Sequence, residues 1–296
     1  MKKSKFVESR EFLRCVASRN DRVFVLSKGK ALMASGIAHT SVVGVEAGDW
    51  TNCHNTEWDA NAIAVARQPN AKLITVGEDG DVVAFMGGDK TANERLPNDP
   101  TAIRNARAIS GYVYACGMRR QVFKRVGEAR WTDISAPEPA AGEAVGFEAI
   151  DGYSEQEVYA VGWQGEVWRY DGSTWHENNL PTNLILSAVC CAPDGNVYAA
   201  GQQGTLAQGR NDRWDIVQFD EEVDLDFWDL CWFQDRLWIS TATTLFTLQG
   251  NHLEEVDFGE TGRPTCNSLS AVDGVLWSVG NNDVASFDGR SWRFYP

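Results

Sequence analysis

Along most of this chain apolar and polar residues alternate with a period of two, the pattern of strands half-buried on a sheet. The stretch "VYAVGWQGEVWRYDGSTW" (Val158 to Trp175) shows the unit: an apolar run closed by Gly, a polar turn, a second run, then Asp-Gly before an aromatic. The stretches "VYAAGQQGTLAQGRNDRW" (Val197 to Trp214) and "VLWSVGNNDVASFDGRSW" (Val275 to Trp292) repeat it. The Gly-closed run is a second strand. Its counterparts are "VFVLS" (from Val23), "LITVG" (from Leu73), "VYACG" (from Val113) and "LWIST" (from Leu237), which makes seven copies. Their spacing of about 40 residues is the period of propeller blades.

Each copy is preceded by a run rich in Ala, Ser and Cys, such as "NAIAVA", "LSAVCCA" and "NSLSAV". Small side chains suit inner strands that crowd together. Turn pairs, among them Asp194-Gly195 and Asp273-Gly274, separate first from second strands and mark hairpins. Third strands follow, as in "DVVAF", "EVWRY" and "DVASF", and prolines fall between copies, where they break no ladder. No helix is predicted. Units that cannot bury both faces alone must stack, so the pattern predicts an all-β, seven-bladed β-propeller with four antiparallel strands per blade. It forms one domain over 1–296, with repeats near 11–60, 61–100, 101–145, 146–183, 184–223, 224–264 and 265–296. An open β-solenoid is the alternative, though its repeats are usually shorter. The longer first interval is assigned to an inserted loop, "EAGDWTNCHNTEWDA" (Glu46 to Ala60). The last copy ends on a fourth strand, "SWRFYP". Closure of the ring therefore rests either on face packing alone or on "KFVES" (Lys5 to Ser9) pairing at the edge of the last blade.

The turns at Asp171-Gly172 and Asp288-Gly289, each followed by Trp (Trp175, Trp292), resemble degenerate Asp-boxes. In that family the box joins third and fourth strands with the pattern S/T-x-D-x-G-x-T-W. Here Asp and Gly are adjacent, so one residue is missing, and "GEARW" and "GRNDRW" keep only the Trp. The chain is similar to Asp-box (BNR-like) and YVTN-like bacterial propellers over nearly its whole length. The resemblance implies that Trp131, Trp175, Trp214 and Trp292 pack between blades. It implies little about function. The sialidases of that class use an arginine triad, an Arg-Ile-Pro motif and a Tyr–Glu nucleophile pair. Here Gly262-Arg263-Pro264 comes late and without the Ile, and no arginine trio is placed. A glycosidase also needs two carboxylates at a defined separation, and the sequence does not single out such a pair.

Other chemistry is sparse. The sequence has no G-x-S-x-G elbow, Walker loop, G-x-G-x-x-G or H-E-x-x-H. The four His are scattered, so neither a metal nor a cofactor is expected, and no catalytic residue is assigned. Cys53-His54 are sequence neighbours, which rarely form a dyad. Seven irregularly spaced Cys, mostly in apolar runs, read as reduced, buried small hydrophobes of a cytoplasmic protein. The start "MKKSKFVESREFL" carries no apolar signal core, and no apolar run reaches the 18 or so residues of a membrane helix. Hence no membrane is expected.

Charge narrows the partners. The formal net charge is -14. A nucleic-acid backbone is disfavoured by that balance, whereas a basic protein would be steered in. Solubility alone is the commoner reason for such a charge. In a propeller the second-to-third turns and the blade links share the face where inner strands begin. From the turns the sequence places Asp79 beside Glu78, Arg119 with Arg120, and Trp163 with Gln164 on that face. From the links it places Trp50, Trp58, the segment Phe219 to Asp229 with Asp220, Glu221, Glu222, Asp224 and Asp226, and "EEVDFGETGR" (Glu254 to Arg263). Trp163 stands where sister copies have Glu78, Arg119, Gln202 or Asn281, so it reads either as an exposed anchor or as an inward-packing ring. The acidic link reads either as a clamp for a basic surface or as a solvated connection. With Arg119 and Arg120 some blades away, the platform would be bipolar.

The expected function is a non-catalytic, monomeric, protein-binding propeller. Its specific version is an immunity protein that masks a bacterial toxin, the partner being a basic toxin domain such as a nuclease. Two alternatives stand beside it. One is a carbohydrate-binding or glycosidase-like propeller using the central pocket with Trp50 or Trp163 as a sugar platform. The other is an assembly factor for a larger complex.

Overall fold

The computed structural model describes residues 3–87, 91–259 and 262–296. Its strands form seven four-stranded antiparallel sheets, the blades of a seven-bladed β-propeller. In chain order they are β1 (Arg10–Arg19), β2 (Arg22–Gly29), β3 (Thr40–Glu46) and β4 (Asp49–Thr56); β5 (Ala60–Ala66), β6 (Lys72–Gly77), β7 (Asp81–Phe85) and β8 (Thr91–Arg95); β9 (Ile103–Ile109), β10 (Tyr112–Gly117), β11 (Gln121–Gly127) and β12 (Arg130–Asp133). Then come β13 (Phe147–Ser154), β14 (Glu157–Gly162), β15 (Val167–Tyr170) and β16 (Trp175–Asn178); β17 (Leu186–Cys191), β18 (Val197–Gly201), β19 (Leu206–Arg210) and β20 (Arg213–Ile216). The last two sheets are β21 (Asp229–Phe233), β22 (Arg236–Ser240), β23 (Leu245–Gln249) and β24 (His252–Glu255), and β25 (Ser268–Val272), β26 (Val275–Val279), β27 (Val284–Phe287) and β28 (Trp292–Phe294). All seven second strands read from the sequence are present.

The chain packs as two compact units. One holds the sheets β1–β4, β21–β24 and β25–β28; the other holds the sheets from β5 to β20. In the first unit, side chains of one sheet satisfy backbone donors of the next. Ser268 Oγ accepts from Cys15 N at 3.2 Å, Ser270 Oγ from Ala17 N at 2.9 Å, and Asp229 Oδ2 from Leu269 N at 2.8 Å. The second unit repeats the device where Asp151 Oδ2 accepts from Cys191 N at 2.9 Å. It also holds a buried ion pair. Arg125 on β11 donates through Nε at 3.0 Å and Nη2 at 2.6 Å to the Glu94 carboxylate of β8, and Trp131 Nε1 donates to the same group at 3.0 Å.

The Gly that closes second strands has a steric cause. A Cβ on Gly117, Gly162, Gly201 or Gly280 would overlap the backbone at Ala102, Gly146, Ile185 or Thr265 respectively, where the incoming link passes. The tryptophans named for packing do pack. Trp175 is buried and donates to Ile134 O at 2.6 Å. Trp131, Trp214 and Trp292 are half-buried against the core clusters. Before Trp175 and Trp292 the turn aspartates cap their own turns. Asp171 Oδ1 accepts from the backbone of Ser173 and Thr174, and Asp288 Oδ1 from that of Arg290 and Ser291. The His176 ring first, then Ser173 and Thr174, hold the Asp171 carboxyl well below the usual range.

Three local expectations are corrected. Residues 46–60 are not an inserted loop, because β4 runs through them and pairs with β3. The extra length of the first copy lies instead between β2 and β3, where helix α2 (Lys30–Ala34) stands. Helices do occur, and "KFVES" is one of them. Lys5–Glu8 form α1, capped by Ser4, rather than an edge strand. Its Val7 is buried in the cluster of Trp277, Val284 and Tyr295, while Lys3 pairs with Asp283 at 2.9 Å and donates to Asn282 O. Together with β1 against β25, this clasp ties the first sheet to the last. Val7→Ala should lower stability by about 1–2 kcal/mol, read as a fall in thermal midpoint. An unchanged midpoint would show that the clasp contributes nothing.

Candidate functional site

In the second unit the turns and links bring several predicted residues together. Arg119 N donates to Val145 O, and Trp163 N donates to Gly146 O, both near 3 Å. Thus the β10–β11 turn, the following link and the β14–β15 turn lie side by side. Arg119, Arg120 and Gln164 all adopt left-handed φ values in these turns. The two arginines do not supply free positive charge. Arg119 pairs with Glu138. Arg120 donates to Glu166 Oε1 through Nε at 2.9 Å and to Pro137 O at 3.2 Å, over the Trp168 ring. Burial pushes the Glu166 carboxyl up despite this guanidinium. The expected basic sector is therefore neutralised by Glu138 and Glu166. Trp163 is half-buried and donates from Nε1 to Glu148 Oε1 at 2.6 Å, which leaves one edge of the ring outward, and Gln164 beside it is exposed. Asp79 is exposed on the β6–β7 turn. At the link after β20, Glu222, Asp224 and Asp226 are exposed, and so is Leu225. Asp226 Oδ1 accepts from Gln203 N at 3.0 Å and Leu225 O from Gly204 N at 2.7 Å, which seats this stretch on the β18–β19 turn.

The first unit differs more from expectation. Trp50 is no loop anchor. It stands on β4, stacked on Phe12 at 5.4 Å and 7° and beside Phe6 at 5.0 Å. Trp58 is half-buried in the link to β5, its carbonyl accepting from Thr56 Oγ1 and Thr40 Oγ1. Asp220 and Glu221 are exposed, but Asp220 N donates to Asn251 O in the β23–β24 turn. That turn is at the end of its sheet away from the β22–β23 turn, so Asp220 does not lie on the face predicted for it. Within Glu254–Arg263, Glu260 and Thr261 lie outside the described residues.

Sequence reading missed the most exposed apolar groups of this unit. Trp228, just before β21, is 50% exposed, and Leu32, Met33 and Ile37 of the α2 insertion also face solvent. They belong to one face. Trp228 N donates to Ser240 O, Ser240 Oγ to Asn267 O, and Asn267 Nδ2 to Asn281 Oδ1; Lys30 Nζ then reaches Asn282 Oδ1 at 3.4 Å. The available signal for Trp228 was its place as the first residue of the inner-strand run "WDLCWF", at the end where inner strands begin. For α2 it was the surplus length after "VFVLS".

Among the described residues no group of three His, Cys, Asp or Glu side chains converges as metal ligands. All seven cysteines are unbridged, and burial pushes the Cys15 and Cys266 thiols up to about 12. Among the described residues no helix is long and apolar enough to cross a membrane.

Comparison with known proteins agrees with this architecture. No family model matches the chain. The virginiamycin B lyase of Staphylococcus aureus, in a catalytically inactive form with quinupristin, superposes with a TM-score of 0.67 at 13% identity over 80% of this chain and 84% of that one. YCF48 from Cyanidioschyzon merolae superposes with a TM-score of 0.69 at 11% identity over 93% and 94%. At such identities they establish the fold alone. The immune protein Tsi7 of Pseudomonas aeruginosa PAO1 is 44% identical over 290 residues, covering 94% of each chain. Identity at that level across nearly both lengths shows that this chain belongs to the family of immune protein Tsi7.

Proposed function

We propose that this chain is an immunity protein that binds and masks a toxin without catalysis of its own. The geometric observation that supports the reading most is Trp228, a half-exposed indole preceding β21. Large aromatics in such positions are the residues that dominate protein interfaces. The kinship with a protein named as an immune protein supports the same reading. The partner is basic. The net charge of -14, and the carboxylates of Glu222 and Asp224 held out in solvent, favour a cationic surface and speed its approach. The chain acts as a monomer in the cytoplasm, where reduced thiols such as its own persist. The self-capped turns at Asp171 and Asp288 support a kinship with the Asp-box-like propellers.

The test is binding to a purified toxin domain, sought among the genes that neighbour this protein's own. Trp228→Ala should weaken the complex by about 2 kcal/mol, roughly thirtyfold. Glu222→Gln with Asp224→Asn should slow association and flatten its salt dependence. If the wild-type chain leaves the toxin both unbound and active, the immunity reading fails.

A further inference from the structure

The β2–β3 connection spans ten residues (30–39), where the other six sheets use three or four. None of the five residues of α2 is buried, and Leu32, Met33 and Ile37 are 42%, 38% and 52% exposed. Yet the base of the insertion is firmly held. The His39 ring bridges its two roots, Nε2 accepting from Gly29 N at 2.8 Å and Nδ1 donating to Ile37 O at 2.7 Å. His39 N donates to Asp59 Oδ1 at 3.1 Å, and Lys28 pairs with the same carboxylate at 2.8 Å. Ile37 N and Ser35 N both return to Leu32 O, closing the tip. A connection this well anchored, carrying three apolar side chains that stand largely in solvent, is a preorganised contact rather than a loose loop.

We infer that this insertion is an apolar prong that seats in a recess with an acidic rim on the toxin partner. The inference rests on the immunity reading above. Two observations select the occupant. The prong continues the face of Trp228 through the Ser240–Asn267–Asn281–Asn282 hydrogen-bond series, so one partner meets both. Between Ser27 and Thr40 the sequence has Lys28 and Lys30 and no Asp or Glu, in a chain of net charge -14. Asp59 matches the charge of Lys28, whereas the ammonium of Lys30 reaches the neutral Asn282 side chain at 3.4 Å. The charge this patch presents is therefore that of Lys30, which suits an acidic rim, while the carboxylates elsewhere meet the partner's basic surface. A second copy is disfavoured because it would set -14 against -14. A five-residue helix also offers far less than the ~800 Å² per side of a stable pair.

The test compares wild type, Leu32→Ser/Ile37→Ser, and a variant whose residues 30–38 are replaced by a three-residue turn, all against the purified toxin domain. The substituted side chains are exposed, so the double variant should keep the wild-type thermal midpoint. Its dissociation constant should rise at least tenfold, mostly through faster dissociation. Wild type binding while both variants bind equally well would overturn the prong and leave the immunity reading standing. Wild type not binding would overturn both. A wild-type dimer on gel filtration that the double variant converts to monomer would assign the prong to self-association and overturn the inference.

Discussion

Replacing Arg125 with methionine is expected to lower the free energy of unfolding by about 3–5 kcal/mol, because it strands a buried carboxylate. Arg125 and Glu94 are essentially sealed from solvent, with side-chain exposures of 0% and 1%. Methionine would fill much of the volume and leave Glu94 with Trp131 as its remaining side-chain donor. Burial alone would raise the Glu94 carboxyl. The Arg125 guanidinium, with a backbone donor and Trp131, outweighs it and holds the group below the usual range. A depressed carboxyl contributes stability above its unfolded pKa of about 4.3 and loses it as pH falls through the folded value. Wild type should therefore weaken in that acid window, and Arg125→Met should show a smaller acid-side loss. The double variant Arg125→Met/Glu94→Leu should recover most of the deficit, since a buried pair exchanged for apolar groups is often neutral. Denaturant titration reads all of this, and a single variant within about 1 kcal/mol of wild type would refute the account.

Gly162→Ala is expected to cost about 3 kcal/mol by overpacking. The cause is not the backbone angle, since Gly162 is extended at φ -177°. It is the Gly146 carbonyl lying where the new Cβ would stand. Gly29→Ala is the control. Its Cβ would meet the His39 ring at 3.5 Å, an ordinary contact, and the change should stay within about 0.5 kcal/mol. Equal effects at the two sites would mean that close approach does not explain the glycine that closes these strands.

Those glycines also show why so much of the fold could be read from the chain. Second strands are buried on both sides, and in five of the seven copies a Gly closes the apolar run, so hydrophobicity and Gly coincide there. The fourth strand of the first copy was hidden because it is an outer strand. "DWTNCHNT" is mostly exposed or half-buried and carries no alternation. With β4 unseen, Trp50 looked like a loop residue, and the surplus length was assigned there instead of to α2. Side-chain partners were less legible than strands. Nothing near Arg120 in sequence announces Glu166, which folding brings in from the next sheet. Trp228 looked like the first residue of an inner strand, and only the place where β21 begins separates it from the core. The face was therefore legible from topology, while its chemistry depended on pairings between copies.

The side-chain acceptors that cross from sheet to sheet have a consequence for how such a chain is inherited. Asp229 serves Leu269, Ser268 and Ser270 serve Cys15 and Ala17, and Asp151 serves Cys191. The aspartate joints are encoded one copy away from the donors they satisfy, and the serine joints at the other end of the chain. A copy duplicated or lost by recombination would confront a backbone amide with a side chain suited to a different neighbour. The number of repeats is thus guarded by a handful of serines and aspartates.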